Sequence, residues 1–233
     1  MTAPPQDIEI AIGGETTTAL IYRTSTASAT LILAHGAGAG QRHPFMINFA
    51  RGLSEHGAID IMTFDFLYMH QRRKVPDRMP QLVACYRAVI AAARMHLDSA
   101  RDGLFIGGKS MGGRAATHVA AADPALHLSG IVLLGYPLHP PRRPDQMRDA
   151  HLPNVKYPML FVQGTRDTFG TPDELRPVLG KISPAPTLHV VEGGDHSFKI
   201  GGKDPKKQLA AYAEAQKTII DWMAGSRGRR QAS

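Results

Sequence analysis

Three residues of this 233-residue chain could together run nucleophilic chemistry on a carbonyl carbon. The first is Ser110, set in Gly108-Lys109-Ser110-Met111-Gly112. This is the pattern G-x-S-x-G, with an apolar stretch before it and an Ala-rich stretch after it. A serine on such a strand-to-helix elbow has its hydroxyl pushed out of the backbone, and small flanking residues let strand and helix approach. A hydroxyl is a poor nucleophile without a base, and the base needs an acid to orient it. The apolar run Met159–Gln163 leads into Gly164-Thr165-Arg166-Asp167, and the run Leu188–Val191 leads into Glu192-Gly193-Gly194-Asp195-His196. Asp167 and His196 supply acid and base in the chain order Ser, Asp, His. Asp195 is a competing acid, but it adjoins His196, where good geometry to the imidazole is hard to reach, and it reads better as a loop-structuring residue. An oxyanion forming at the carbonyl needs N–H donors. Met111, directly after the serine, offers one; Ala37 in His35-Gly36-Ala37-Gly38 is expected to offer the other, with Gly38 the second choice. His35 itself reads as a residue that fixes this loop.

Other chemistries fit less well. Gly107-Gly108-Lys109-Ser110 resembles the end of a phosphate loop, but an apolar strand stands where the loop should be. Gly36-Ala-Gly-Ala-Gly is not a dinucleotide fingerprint, and the other histidines show no metal-ligand spacing. No cofactor and no metal are expected. The single cysteine, Cys85, falls on an apolar helix face and reads as a buried, inert thiol.

The elements that must carry these residues alternate in type. Two short alternating runs, Asp7–Ile12 and Thr17–Arg23, flank Gly13-Gly14 and predict a β-hairpin. Strands are then predicted at Thr30–Ala34, Ile59–Phe64, Gly103–Gly107, Ile131–Leu134, Met159–Gln163 and Leu188–Val191. Several are continuously apolar, as strands buried on both faces are. Helices are predicted at Phe45–His56, Pro80–Leu97, Met111–Ala122, Thr171–Gly180 and Pro205–Met223. This is an α/β pattern: a mostly parallel sheet with helices on both faces after an N-terminal antiparallel hairpin. Together with the serine elbow it predicts the α/β-hydrolase fold. The irregular stretch Gly135–Pro158 is too short for a separate cap domain. One domain is expected over residues 1–224, followed by a basic, frayed tail at 225–233.

The formal charge is +7, from 27 Lys and Arg against 20 Asp and Glu. The excess is local: it sits in the tail, with Arg227, Arg229 and Arg230, and in the segments Met69–Arg78 and Pro140–Arg148. A nucleic-acid binder would more often spread its charge over one face, so neither nucleic acid nor membrane is expected as a partner. The start MTAPPQDIEI has neither a basic end nor an apolar core, and no apolar run approaches a bilayer's thickness. With one cysteine, this points to a cytoplasmic protein.

The segments LAHGAGAG (33–40), FDFLYM (64–69), GGKSMGGR (107–114), GYPLHPP (135–141), FVQGTRD (161–167) and GGDHSF (193–198) together resemble one family. It is that of small bacterial α/β-hydrolase-like proteins related to dienelactone hydrolase, in the branch shared with the testis-expressed proteins and a subunit of an animal chromatin-acetylation complex. The resemblance implies Ser110, Asp167 and His196 as a triad. Dienelactone hydrolases proper use a cysteine where this chain has Ser110, so their substrate does not carry over.

These readings combine into a serine hydrolase (a carboxylesterase or dienelactone-hydrolase-like enzyme) acting on an ester, thioester or related acyl bond of a small molecule. Loops 65–78 and 135–157 would form the rim of a shallow site. Phe66, Tyr68 and Leu138 would wall it. Arg72, Arg73, Arg142 and Arg143 would favour anionic substrates or stand as solvated rim charges. A catalytically weak or inactive interaction module on the same fold is the alternative. Oligomeric state is open.

Overall fold

A computed structural model describes residues 4–202 and 204–231. The strands are β1 (Gln6–Ile12), β2 (Glu15–Tyr22), β3 (Ala29–Ala34), β4 (Ile59–Phe64), β5 (Leu104–Lys109), β6 (Gly130–Leu134), β7 (Met159–Gly164) and β8 (Thr187–Val191). The helices are α1 (Pro44–His56), α2 (Leu67–His70), α3 (Met79–His96), α4 (Ser99–Asp102), α5 (Met111–Ala122), α6 (Pro172–Leu179) and α7 (Pro205–Gln231). The eight strands form one sheet in the order β1-β2-β4-β3-β5-β6-β7-β8. The β1–β2 and β2–β4 pairings are antiparallel and the other five are parallel, so the N-terminal hairpin sits on one edge of a parallel sheet.

The strand sequences follow from burial. In β3 every residue is inaccessible: Leu31 and Leu33 pack with Phe45, Phe49 and Leu53 of α1 on one face, while Ile32 and Ala34 pack with Val89 and Tyr86 of α3 on the other. Side chains alternate between the faces and both faces are covered, so no polar residue interrupts the run apart from Thr30. The edge strand β8 is only partly buried and keeps His189.

Glycines set the approach of β5 and α5 to β3. A Cβ on Gly112 would lie 2.5 Å from Ala34 O and 2.6 Å from His35 O, both backbone atoms that cannot swing away. A Cβ on Gly108 would meet Ala34 O at 2.5 Å as well. Gly112→Ala is therefore expected to destabilise the fold by about 3 kcal/mol, the upper end of ordinary overpacking costs. Urea unfolding monitored by circular dichroism measures it; an unchanged midpoint would show that the helix can move off the sheet freely.

The last helix differs from expectation. The sequence Gly225-Ser226-Arg227-Gly228 reads as the start of a frayed tail, but α7 continues through Gln231. Ser226 is buried and the Arg227 guanidinium donates to Ser28 O at 2.7 Å, so tertiary contacts hold a turn that glycine alone would loosen. Residues 232–233 of that expected tail lie outside the described residues.

Candidate active site

Ser110 follows β5 directly and precedes α5. Its backbone has φ 51° and ψ −115°, a left-handed conformation that costs a non-glycine residue about 1–3 kcal/mol. The surroundings hold it there: Ser110 N–H donates to Leu134 O at 3.0 Å, and Arg114 N–H donates to Ser110 O at 3.0 Å. Below the elbow, the Tyr86 hydroxyl accepts Gly107 N–H at 3.0 Å and lies 2.7 Å from Gly107 O.

The sheet order puts β5, β6, β7 and β8 side by side, so loops far apart in sequence converge at their C-terminal ends. His196, on the loop after β8, reaches Ser110 Oγ with Nε2 at 2.9 Å. Its Nδ1 lies 2.9 and 2.8 Å from the two carboxylate oxygens of Asp167, on the loop after β7. An Nδ1–H donated to Asp167 leaves Nε2 free to accept the Ser110 proton. Asp167 is 1% exposed. It also accepts Phe169 N–H at 2.9 Å and a Gln163 side-chain N–H at 2.8 Å. The Phe169 ring covers the imidazole at 4.2 Å between centroids.

Asp195 does not approach the ring nitrogens. Its Oδ1 accepts the Ser197 and Lys199 amides at 2.7 and 2.9 Å, which shapes the turn that presents His196. His35 is inaccessible; its Nδ1 contacts Gly36 O at 2.8 Å and its Nε2 accepts Phe66 N–H at 3.1 Å. Burial lowers its pKa, so it stays a neutral bridge across the 35–38 loop.

A cavity of about 480 Å³ opens beside Ser110 and His196, and Ala37 and Met111 line it. The expected walls do not. Phe66 and Tyr68 are fully buried, their rings 5.1 and 6.0 Å from that of His35, and they support loop 35–38 from beneath. Leu138 is also buried, pressed against Gly170, where a Cβ would lie only 2.7 Å from its own. Arg72 and Arg142 are exposed and absent from the lining. Loop 65–78 contributes nothing to the cavity, whereas loop 135–157 contributes Pro137 and Arg148. The actual apolar walls are Phe45, Met46, Met111 and Phe169, and the polar ones include Lys109, Arg114 and Arg148. Burial pushes the Lys109 amine down to about 8, against the pull of Asp167 and Asp195.

Gln163 and Arg114 escaped the sequence reading, though each left a trace. Gln163 is the one polar residue at the end of an apolar strand; its Oε1 accepts Tyr136 N–H at 2.8 Å while its amide donates to Asp167. Arg114 lies one helical turn past Ser110, on the same face of α5.

A mostly parallel sheet with a serine on a strained strand–helix elbow after β5, and with an acid after β7 and a histidine after β8, defines the α/β-hydrolase fold. Among the described residues, only a short 3-10 turn at Leu152–Asn154 stands between β6 and β7, and no cap domain is built there. The chain belongs to the alpha/beta hydrolase domain family, whose profile matches residues 27–224. Solved structures agree on the fold. A dienelactone hydrolase from Anabaena variabilis superposes with a TM-score of 0.71 at 20% identity, over 92% of this chain and 97% of that one. An α/β serine hydrolase homologue from Coxiella burnetii gives 0.73 at 17% identity, over 95% and 98%. A serine hydrolase without a lid from Xanthomonas campestris gives 0.71 at 18% identity, over 95% and 96%. No helix among the described residues is long and apolar enough to cross a membrane.

Proposed function

We propose that the protein is a serine hydrolase that cleaves an ester, thioester or related acyl bond of a small molecule. The observation that carries this reading is the unbroken relay from Ser110 Oγ through the His196 ring to Asp167, with every link between 2.8 and 2.9 Å. In this reading Ser110 attacks the carbonyl carbon while His196 Nε2 takes the hydroxyl proton. Asp167 stabilises the imidazolium and keeps the ring in its orientation. The N–H groups of Met111 and Ala37 receive the oxyanion. Met111 is the first residue of α5, so its amide has no partner inside the helix. His196 then gives its proton to the leaving group, and an acyl-Ser110 ester remains. Water, deprotonated by His196, attacks that ester and restores the serine. No metal or cofactor enters these steps. The structural neighbours described as a dienelactone hydrolase and as a serine hydrolase without a lid support a hydrolase reading.

Stopped-flow hydrolysis of p-nitrophenyl acetate tests the scheme. Acylation followed by slower deacylation releases a burst of p-nitrophenol with an amplitude near one equivalent per chain. Turnover with no burst, and no acetyl group on Ser110 by mass spectrometry after acid quench, would count against an acyl-enzyme route.

A further inference from the structure

The cavity beside Ser110 carries three cationic side chains and no carboxylate: Lys109, Arg114 and Arg148 line it, and no aspartate or glutamate does. Among the described residues none of the three heads has an ion-pair partner, and Arg114 Nε is buried without a hydrogen bond. Elsewhere in the molecule some exposed basic residues do pair with acids, as Arg73 does with Asp77 at 2.7 Å and Arg87 with Asp123 at 3.5 Å.

The positions of the three follow from the fold. Side chains on a helix lean toward its N-terminus, so Arg114 reaches back over the first turn of α5 toward Ser110. Arg148 enters from loop 135–157; its N–H donates to Leu138 O and its carbonyl accepts the Tyr136 hydroxyl, both at 2.8 Å, which fixes its backbone. After burial, the charge of Arg114 is the next cause that lowers the Arg148 pKa, so the two cations are near enough to feel one another. Lys109 is 8% exposed, with Nζ 5.7 Å from the Phe45 ring centre. Behind Arg114 the rings of His118 and His151 stack at 3.7 Å, both held neutral by burial, and supply no negative charge.

Lys109 already feels Asp167 and Asp195, but the half-buried guanidiniums of Arg114 and Arg148 have no counterion among the described residues, and this costs free energy that an incoming anion relieves. The guanidinium fork matches a carboxylate or phosphate edge in two parallel hydrogen bonds. We propose that Arg114 and Arg148, assisted by Lys109, form an anion subsite, so that the substrate is an acyl compound carrying its own carboxylate or phosphate in the same cavity as the bond to be cleaved. This rests on the hydrolase reading above. The apolar lining from Phe45, Met46, Met111 and Phe169 sets the link between acid and acyl bond as a short hydrocarbon chain or ring.

The test compares kcat/KM for two esters that differ by a terminal carboxylate, p-nitrophenyl butyrate and mono-p-nitrophenyl glutarate. The wild type is expected to prefer the glutarate by about tenfold or more, the worth of one charge-assisted contact. In Arg148→Met and in Arg114→Met the ratio should fall toward one, with Arg148→Lys keeping part of it. The ratio is read on one preparation, so any unfolded fraction cancels. Equal or better use of the butyrate by the wild type, or a preference that survives both methionine variants, overturns the subsite. If neither ester is turned over, the hydrolase reading fails and the subsite is judged by binding alone. Calorimetric titration with glutarate and with inorganic phosphate then upholds it if binding is lost in Arg148→Met, and the tighter ligand names the acid. No binding of either sinks it.

Discussion

Replacing Ser110 with alanine is expected to lower p-nitrophenyl ester hydrolysis by roughly five orders of magnitude or more, leaving only the residual acceleration that oxyanion donors and binding supply. The loss is large because the serine begins the covalent step and no neighbouring group can take over. Cys85 is the only thiol, and it is buried on α3, its pKa raised to about 12 by burial, so it supplies no thiolate. Water in the vacated space could still be polarised by His196, but it would lack the position that the left-handed elbow gives the hydroxyl. The fold should survive. The Ser110 side chain makes its hydrogen bond to His196 and none that closes the helix, since it does not cap α5. Alanine must adopt the same φ of 51°, which serine already tolerates. Initial rates with matched far-ultraviolet circular dichroism measure the effect. Retention of a tenth of wild-type activity would mean that another residue carries the chemistry.

Asp167→Asn is expected to reduce kcat about 10⁴-fold. The carboxylate accepts from three donors at once: the Phe169 amide, the Gln163 side-chain amide and His196 Nδ1. An asparagine has one acceptor oxygen and one NH₂ group. Whichever way it is turned, its NH₂ faces a donor. Relief comes if His196 moves its proton to Nε2, so that Nδ1 accepts from the new amide. That tautomer presents a proton to Ser110 and can no longer take one. The imidazolium formed on attack would also lose its counter-charge in a site where Asp167 is 1% exposed. A steady-state assay from pH 6 to 10 measures kcat. The loss should persist at neutral pH with little change in KM, and a variant within tenfold of wild type would remove Asp167 from the relay.

Much of this arrangement was legible in the sequence because it is carried by short, local signals. The β3, β5 and β7 runs are apolar without alternation since helices cover both faces, and each ends where the chain needs glycine for a tight turn or a close approach. Ser110 directly follows β5 and Asp167 lies just past β7, two such runs, while His196 lies one short loop past the partly buried edge strand β8, so locating the strands located all three. The cavity walls were not legible. Phe66 and Tyr68 lie on a loop next to the site, yet their rings turn inward onto His35, Phe64 and Tyr86. Nothing local in FDFLYM distinguishes an inward ring from one facing the cavity; the choice is made by the space beneath loop 35–38. The charge was misplaced for a similar reason. Arg72 and Arg142, conspicuous in basic segments, stay in solvent at φ 59° and 62°, while Arg114 and Arg148 supply the cavity charge. Arg114 could have been found from its one-turn spacing after Ser110. Arg148 could not, since it sits in an irregular loop with no period to set its direction.

The central claim is that Ser110 is an activated nucleophile. A fluorophosphonate probe reports that state directly, because it phosphonylates a serine only when a base removes its proton and donors hold the developing oxyanion. The folded wild type should label to one equivalent per chain, with the adduct mapped by tryptic mass spectrometry to the peptide holding Ser110, and Ser110→Ala should not label. A wild type that stays unlabelled, or a Ser110→Ala variant that labels equally, would contradict the account.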